Sequence, residues 1–265
     1  MLEKVAQRAR DFDVVHLHCD YLGYPVFRRA GVPFLATLHG RLDLPELKSL
    51  YRVFSDVPVI SISNSQRRPL PEAAYFATVY HGLPERLLLL GNGSGGYLAF
   101  IGRISPEKAP DRAIRIAARA GMQLKIAAKI DPVDRDYFKA EIEPLLAQPH
   151  VEFIGEIGEH EKAEFLGNAA GLLFPITWPE PFGLVMIEAM ACGTPVIALP
   201  NGSVPEVVED GITGFIVGDD AAAASAAEQV HLLDRTLIRA IFERRFTARR
   251  LAEDYLRIYQ DLTSG

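Results

Sequence analysis

The stretch WPEPFGLVMIEAMACGTPVIALPNGSVPE at residues 178–206 decides the fold of this chain. A loop bracketed by prolines carries Glu180, and the segment after it is apolar on all sides except for Glu188, which predicts a buried helix. A buried, unpaired carboxylate costs several kcal/mol unless donors surround it, and either ligand hydroxyls or an internal Lys or Arg would serve. Ser203 and Glu206 then have the spacing of a capping box, which predicts a further helix start.

Short β-prone runs alternate with helical patterns on both sides of this stretch. Such alternation predicts parallel sheets covered by helices on both faces, which is the α/β class. The strand-like runs lie at 13–18, 34–39, 57–61, 77–81, 97–102, 124–128, 151–154, 171–176, 195–199 and 214–217. The helical patterns lie at 110–120, 132–146, 160–167 and 182–191, and they continue from about residue 221.

A Gly/Ser-rich break at 91–96 divides the chain. Gly91, Gly93 and Gly96 satisfy the G-x-G-x-x-G pattern, but that fingerprint requires a preceding strand and a following helix, and here it precedes a strand. We therefore interpret the break as a flexible interdomain linker. It separates two Rossmann-like domains, at 1–90 and 97–240, and a C-terminal helical segment follows at 241–265.

The bulk composition excludes several classes of protein. The 265 residues carry a net charge of −6, which argues against a nucleic-acid binder. Two distant cysteines do not form a disulfide framework, and the N-terminus is charged rather than a signal peptide. No apolar run reaches the roughly 18 residues of a membrane span. We expect a soluble, cytoplasmic protein whose membrane contact is at most peripheral, through the amphipathic C-terminal segment.

Several candidate site residues lie just after predicted strands, where parallel sheets bind their ligands. Arg103 and Lys108 lie between a strand and a helix, and two cations beside a helix N-terminus suit a phosphate or diphosphate. An ordinary charged surface is the alternative. Phe182 and Gly183 open the helix of the first stretch, so its free backbone amides form a second candidate anion site.

Histidines end two predicted strands in the N-terminal half. His16 and His18 share one strand face, but with Cys19 or Asp20 they match no closed zinc site, so we predict no metal. His39 precedes a glycine at a strand end, where we expect a hydrogen-bonding group in the ligand crevice. A merely structural histidine is the alternative.

Taken together, these motifs resemble a known family. E-P-F-G-L-V-M-I-E-A-M-A-C-G-T-P-V-I-A is similar to the E-x7-E signature of the family-4, or group 1, retaining glycosyltransferases, which have the GT-B fold. GSVPEVVEDGITGFIV is typical of the segment that comes after that signature. FIGRISPEKAPDRAIRIA resembles the family's G-R-x-x-x-x-K diphosphate motif, with Ala109 where glycine is usual. DVVHLH, FLATLHG and YHGLP resemble its N-domain strand ends, with His81 where asparagine is commoner.

The resemblance implies a role for each domain. Residues 1–90 would be an acceptor-side domain and 97–240 the donor nucleotide-sugar domain, while the segment 241–265 would either cross back to the first domain or simply pack as a helix. Family members normally begin with a strand and a Gly-rich loop that are absent here, so we expect an incomplete N-terminal domain. The DVVHLH strand would then be an exposed sheet edge, and such edges favour self-association.

The resemblance also implies roles for single residues. Glu180 and His39 would contact the transferred sugar as the catalytic pair, and Glu188 would bind the nucleotide ribose, whose diol would explain the buried charge. The remaining donor-binding residues would be Gly102, Arg103, Lys108, Phe182, Gly183 and Leu184, with the two cations on the leaving diphosphate.

The implied reaction is transfer of a sugar, with retention, from a nucleotide-diphosphate donor to a saccharide, lipid-linked or small-molecule acceptor. No metal or other cofactor is expected, because Arg and Lys neutralise the diphosphate. Two alternatives remain: a nucleotide-sugar-binding module or inactive truncated transferase without turnover, and an epimerase of nucleotide sugars. The E-P-F-G-L…E block argues against the epimerase.

Overall fold

The structure is a computed structural model and describes residues 1–264. The chain forms two compact units. Unit 1 comprises Met1–His81 together with the segment that starts at Arg249, and unit 2 comprises Gly82–Ala248. Each unit contains one sheet whose paired strands run parallel, which confirms the predicted α/β class with two parallel sheets.

Unit 1 has a four-stranded sheet in the order β1-β2-β3-β4. Its strands are β1 (Val15–Leu17), β2 (Phe34–Thr37), β3 (Pro58–Ser61) and β4 (Ala74–Thr78), and its first helices are α1 (Leu2–Arg8), α2 (Tyr24–Ala30), α3 (Pro45–Val53) and α4 (Asn64–Arg67). The fourth strand starts three residues earlier than predicted, because Ala74 and Tyr75 already pair with Pro58 and Val59; after a register shift the pairing resumes at Ala77. Single 3₁₀ turns lie at Ala9–Asp11 and Asp20–Gly23.

Unit 2 has a six-stranded sheet in the order β10-β9-β8-β5-β6-β7. Its strands are β5 (Tyr97–Arg103), β6 (Gln123–Lys129), β7 (Val151–Gly155), β8 (Gly171–Phe174), β9 (Val196–Ala198) and β10 (Gly214–Ile216). Its helices are α5 (Pro110–Ala120), α6 (Arg135–Tyr137), α7 (Glu143–Leu146), α8 (Glu159–Asn168), α9 (Leu184–Ala191), α10 (Val204–Val207), α11 (Asp220–Gln229) and α12 (Arg235–Arg245). A π-helical turn (Phe138–Ile142) joins α6 to α7, and 3₁₀ turns lie at Pro132–Asp134 and Val230–Leu232. This strand order is the doubly wound Rossmann order.

The last helix, α13 (Ala248–Ser264), completes unit 1. Its buried Tyr255 and Ile258 pack against Leu35, Ile60 and Val79 on one face of the sheet. The segment 241–265 therefore contains the end of α12 and all of α13, while its final residue, Gly265, lies outside the described residues. No helix within residues 1–264 is both long and apolar enough to cross a membrane.

The β1 strand lies at the edge of the unit 1 sheet and pairs with β2. Its apolar side chains Val15 and Leu17 are nevertheless buried, because they pack into the core that also contains Tyr24 and Phe27. The exposed edge of β1 therefore presents backbone groups and the neighbouring Phe12, which is 57% exposed.

The Gly/Ser segment 91–96 is anchored to unit 2 and is not the flexible linker that its composition predicts. The Gly91 amide donates to the Cys192 carbonyl at 3.0 Å, and the Gly93 amide donates to the Gly167 carbonyl at 3.0 Å. The Arg235 guanidinium donates to the Gly91 and Gly167 carbonyls at 3.1 and 2.9 Å. The two units accordingly divide ahead of this segment, between His81 and Gly82.

Gly91 is required because its Cα lies against the backbone of Gly167, which a Cβ would overlap. We expect Gly91→Ala to destabilise unit 2 by about 2–3 kcal/mol, the cost of overpacking a site bounded by backbone. Thermal unfolding followed by circular dichroism should show a midpoint lowered by about 5–10 °C. Gly218→Ala is the matched control, because a Cβ there would meet no atom within 4 Å. Equal midpoints for the two variants would contradict the prediction.

Candidate functional site

The strand order of unit 2 reverses between β5 and β8, which lie side by side although they are not consecutive. In open α/β sheets, ligands bind in the crevice outside the carboxyl ends of the strands at such a switch point. The loop after β5 contains Lys108, and the loop after β8 contains Glu180. The topology therefore brings two of the predicted site residues to the same edge of the sheet.

The loop after β5 is a tight turn that leads into α5. The amides of Lys108 and Ala109 donate to the Ser105 carbonyl at 3.1 and 3.2 Å. Ala109 has a left-handed backbone conformation with a φ of 51°. This explains why glycine is usual at this position of the diphosphate motif that the loop resembles. α5 then begins at Pro110, a residue suited to the first helical position.

Lys108 and Glu180 form an ion pair between the two loops. Their side chains are 20% and 13% exposed, so solvent screens the attraction only partly. The indole N–H of Trp178 donates to the same Glu180 oxygen at 3.0 Å, and the ammonium of Lys108 lies 5.5 Å from the Trp178 ring centre. The amide of Thr177 also donates to the Glu107 carbonyl at 3.1 Å, which joins the loops through their main chains.

Arg103, the second predicted cation, has different neighbours. It ends β5 next to Gly102, and its side chain is 50% exposed. Its guanidinium lies 3.6 Å from a carboxylate oxygen of Asp131 and 3.8 Å from one of Asp134. The structure thus brings Lys108 to the predicted carboxylate Glu180, whereas Arg103 faces two aspartates that the sequence analysis did not select.

The turn at residues 201–203 supports the Glu180 loop from behind. The Ser203 amide donates to the Glu180 carbonyl at 3.0 Å, and the Ser203 hydroxyl donates to the Phe182 carbonyl at 2.6 Å. Gly202 has a φ of 58°, and a Cβ there would overlap the Glu180 backbone. The predicted capping box is wrong, because the Ser203 hydroxyl bonds this carbonyl and does not cap α10.

α9 begins at Leu184, two residues later than predicted, after Gly183 in a left-handed conformation with a φ of 76°. Phe182 is buried and packs edge-on against Phe246, with ring centres 6.2 Å apart. The helix is not buried on all sides, since Leu184 is 45% exposed. Glu188 lies four residues later on the same face of α9, and its side chain is 13% exposed.

Glu188 is paired with an internal lysine, one of the two donor types considered for it. The Lys162 ammonium on α8 lies 2.8 Å from the Glu188 carboxylate and 2.8 Å from that of Glu159. Burial on its own would lower the pKa of Lys162, but the hydrogen bonds and charges of the two glutamates raise it above its usual value. Lys162 was not found from the sequence, because a lysine on a charged helix carries no local signal of a partner 26 residues away.

In unit 1, four histidines cluster at the carboxyl ends of the strands and just beyond them. Nδ1 of His18 lies 2.8 Å from Nε2 of His39, whose ring stacks on that of His81 at 5.5 Å. His16 is hydrogen-bonded to Thr37 at 2.8 Å and to Tyr259. Among residues 1–264, no group of three or more His, Cys, Asp or Glu side chains is arranged to hold a metal ion.

The clustered histidines are held neutral near pH 7. Burial, followed by the charges of His18 and His39, lowers the pKa of His16 to about 3. Burial, then His39, Arg250 and His18, lowers the pKa of His81 to about 4. Burial and the neighbouring His18 also lower the pKa of His39, so this candidate catalytic residue acts as a neutral hydrogen-bonding group.

These lowered pKa values predict that stability depends on pH. Between about pH 6.5 and 4 the unfolded chain binds protons that buried His16 and His81 do not, so stability falls as the pH falls through this window. We expect unfolding near pH 5 to take up about one proton for each of the two. His81→Asn should reduce the uptake by about one, and calorimetric unfolding between pH 7.5 and 5.0 measures it. Identical pH dependence in variant and wild type would contradict the assignment.

The comparisons with known proteins agree with this arrangement. The sequence model of a family described as glycosyl transferases group 1 matches residues 91–241. A D-inositol 3-phosphate glycosyltransferase of Mycobacterium leprae is 37% identical over 136 residues, which cover 46% of this chain and 29% of the relative. One of Frankia alni is 28% identical over 281 residues, which cover 85% of this chain and 66% of the relative. The chain therefore spans less than two thirds of the length of these curated relatives.

Two solved structures share the fold. Alr3699/HepE of Anabaena, solved in complex with UDP and glucose, superposes with a TM-score of 0.81 at 21% identity, over 98% of this chain and 80% of that one. Sucrose-phosphate synthase of Thermosynechococcus elongatus gives a TM-score of 0.82 at 21% identity, over 99% of this chain and 77% of that one. These likenesses confirm the predicted GT-B fold class. Because the family match covers more than half of the sequence, the chain belongs to the group 1 glycosyltransferases.

Proposed function

We propose that this chain transfers a sugar from a nucleotide-diphosphate donor, and that unit 2 binds the donor. The observation that carries the proposal is the Lys108–Glu180 pair, which lies at the topological switch point of a doubly wound sheet. A sugar diphosphate has an anionic diphosphate and a sugar with hydroxyl donors, and this pair offers a cation for the first and an acceptor for the second. The ammonium suits the phosphates, and the carboxylate suits the sugar hydroxyls.

In the proposed complex the donor replaces the internal ion pair. The diphosphate binds the Lys108 ammonium, while hydroxyls of the sugar donate to Glu180. Each charged side chain therefore exchanges its old partner for a new one and is not left unpaired. Arg103 and the backbone at Gly102 supply further positive potential, which a dianionic ligand requires. Stabilising the charge that grows on the leaving diphosphate is the largest contribution such a site makes to the rate.

The start of α9 supplies the remaining donor contacts in this proposal. The backbone amides of Phe182, Gly183 and Leu184 lie at the positive end of the helix dipole, which favours an anion. Glu188 accepts hydrogen bonds from the nucleotide ribose, and its position on the same face of α9 as the exposed Leu184 supports that role. His39 is proposed as the neutral polar group that faces the transferred sugar.

We further propose that transfer proceeds with retention and without a metal ion. Lys108 and Arg103 would neutralise the diphosphate directly, and attack on the same face of the sugar would be assisted by the departing phosphate. The acceptor is a saccharide, a lipid-linked sugar or a small molecule. The curated relatives make D-inositol 3-phosphate the first acceptor to test. Free thiols at Cys19 and Cys192 support a reducing, cytoplasmic setting.

Donor binding and turnover in two variants test the proposal. With UDP-, GDP- and ADP-glucose as donors, calorimetry should show that Lys108→Ala weakens binding about tenfold to hundredfold, because a charge-assisted contact to phosphate is lost. Glu180→Gln should lower kcat about a hundredfold, with a smaller effect on the donor Kd.

Lys139→Ala is the matched control, since it removes an exposed lysine of the same unit. Product from the wild type should keep the anomeric configuration of the donor, which nuclear magnetic resonance reads directly. Failure to bind any of these nucleotide sugars would refute the proposal. Binding without transfer or hydrolysis would instead identify a nucleotide-sugar-binding module, and an epimer formed without acceptor would identify an epimerase.

We also propose that the chain self-associates through the open edge of β1. The backbone edge of β1 and the exposed Phe12 support this, because unpaired edges of parallel sheets accept strands from other chains. Phe12→Glu should shift the mass measured by light scattering towards the monomer. Phe76→Glu is the matched control, because Phe76 is 45% exposed on the opposite edge strand, β4. A wild type that is monomeric at all concentrations tested would refute this part.

A further inference from the structure

Lys162 reaches from α8 to α9 and contacts two glutamates that differ in solvent exposure. Its ammonium lies 2.8 Å from Oε1 of Glu188 and 2.8 Å from Oε1 of Glu159. The side chains of Lys162 and Glu188 are 14% and 13% exposed, whereas that of Glu159 is 57% exposed. Exposed pairs contribute little, while shielded charge-assisted bonds fix geometry. The bond to Glu188 is therefore the one that orders both side chains.

The Glu188 carboxylate is left with one tethered and one open oxygen. Oε1 accepts from Lys162, whereas no group within residues 1–264 donates to Oε2. Oε2 is also not among the buried side-chain atoms without a partner, so it reaches solvent. It lies on the strip of α9 that carries the exposed Leu184. A fixed carboxylate with one unused oxygen is an acceptor prepared for hydroxyl groups.

We propose that Lys162 is a positioning residue for the nucleotide ribose, because it holds Oε1 of Glu188 and leaves Oε2 turned towards the ribose hydroxyl groups. The inference rests on the proposed function, in which Glu188 binds the ribose. A ribose presents two neighbouring hydroxyls, one of which can donate to Oε2 and the other to the remaining lone pair of Oε1. A nucleotide that lacks the 2′-hydroxyl leaves one of these acceptors unpaired, and the site rejects it.

A purely structural ion pair between α8 and α9 makes a different prediction. Losing a structural pair would weaken the binding of every nucleotide by the same factor and would lower the melting temperature. Losing a positioning residue would remove the preference for ribose over 2′-deoxyribose, because only the contribution of the hydroxyl is lost. The ratio of the two Kd values therefore separates the roles, whatever happens to stability.

The experiment measures Kd by calorimetry for UDP, ADP and GDP, each beside its 2′-deoxy counterpart. The wild type should bind the best ribonucleotide about tenfold more tightly than the deoxy form, the effect of one hydrogen bond to a charged group. Lys162→Met should reduce this ratio to about one, and Lys162→Arg should keep most of it. Lys125→Met is the matched control, since it removes a lysine paired with Glu152 at 3.1 Å on the same sheet, and it should keep the full ratio.

The double variant Lys162→Met with Glu188→Gln should have the same ratio as Glu188→Gln alone, because the lysine acts through the glutamate. If Lys162→Met does not fold, the Kd ratio is measured on Lys162→Gln instead, which keeps a hydrogen-bond donor but removes the charge. A wild type that prefers ribose and a Lys162→Met variant with an unchanged preference would overturn this inference alone. A wild type that binds no nucleotide would overturn the proposed function and the inference with it.

Discussion

Charge compensation inside the segment 178–206 is the constraint on which the rest of the structure depends. This segment carries Glu180 and Glu188 in largely shielded positions, and each is neutralised by a lysine from a different element. Lys108 comes from the loop after β5, and Lys162 comes from α8. An uncompensated carboxylate at either position would cost more than most single contacts contribute, so both elements must be in place before the segment is stable.

Main-chain packing then fixes the geometry that the charges require. Ser203 and Gly202 hold the backbone of the Glu180 loop from behind, while Gly183 turns the chain into α9. These contacts fix the backbone of the Glu180 loop and of the start of α9, while the lysine side chains hold the two carboxylates. For the proposed function, such a backbone means that the site is organised before a ligand arrives, which is the condition for electrostatic stabilisation of a reacting group.

Local patterns predicted the architecture well, and they predicted the site in part. Strand-helix alternation identified both sheets, and the rule for strand ends placed Lys108 and Glu180 at the same switch point. Several features set by contacts between distant residues escaped. Lys162 has no local signature of its partner, and the close approach of Gly91 to Gly167 turned a segment of linker-like composition into a packed one. A hydroxyl such as that of Ser203 can accept from a helix amide or donate to a distant carbonyl, and only the folded chain decides which.

The return of α13 to unit 1 has a consequence for biosynthesis. Tyr255 and Ile258 cover Leu35 and Ile60, so one face of the first sheet stays uncovered until the segment from Arg249 has left the ribosome. All of Gly82–Ala248 is translated in between, which takes on the order of ten to thirty seconds at ordinary elongation rates. During that interval the nascent chain displays an apolar sheet surface that chaperones would have to shield, and the inserted unit receives its last core residue before unit 1 does.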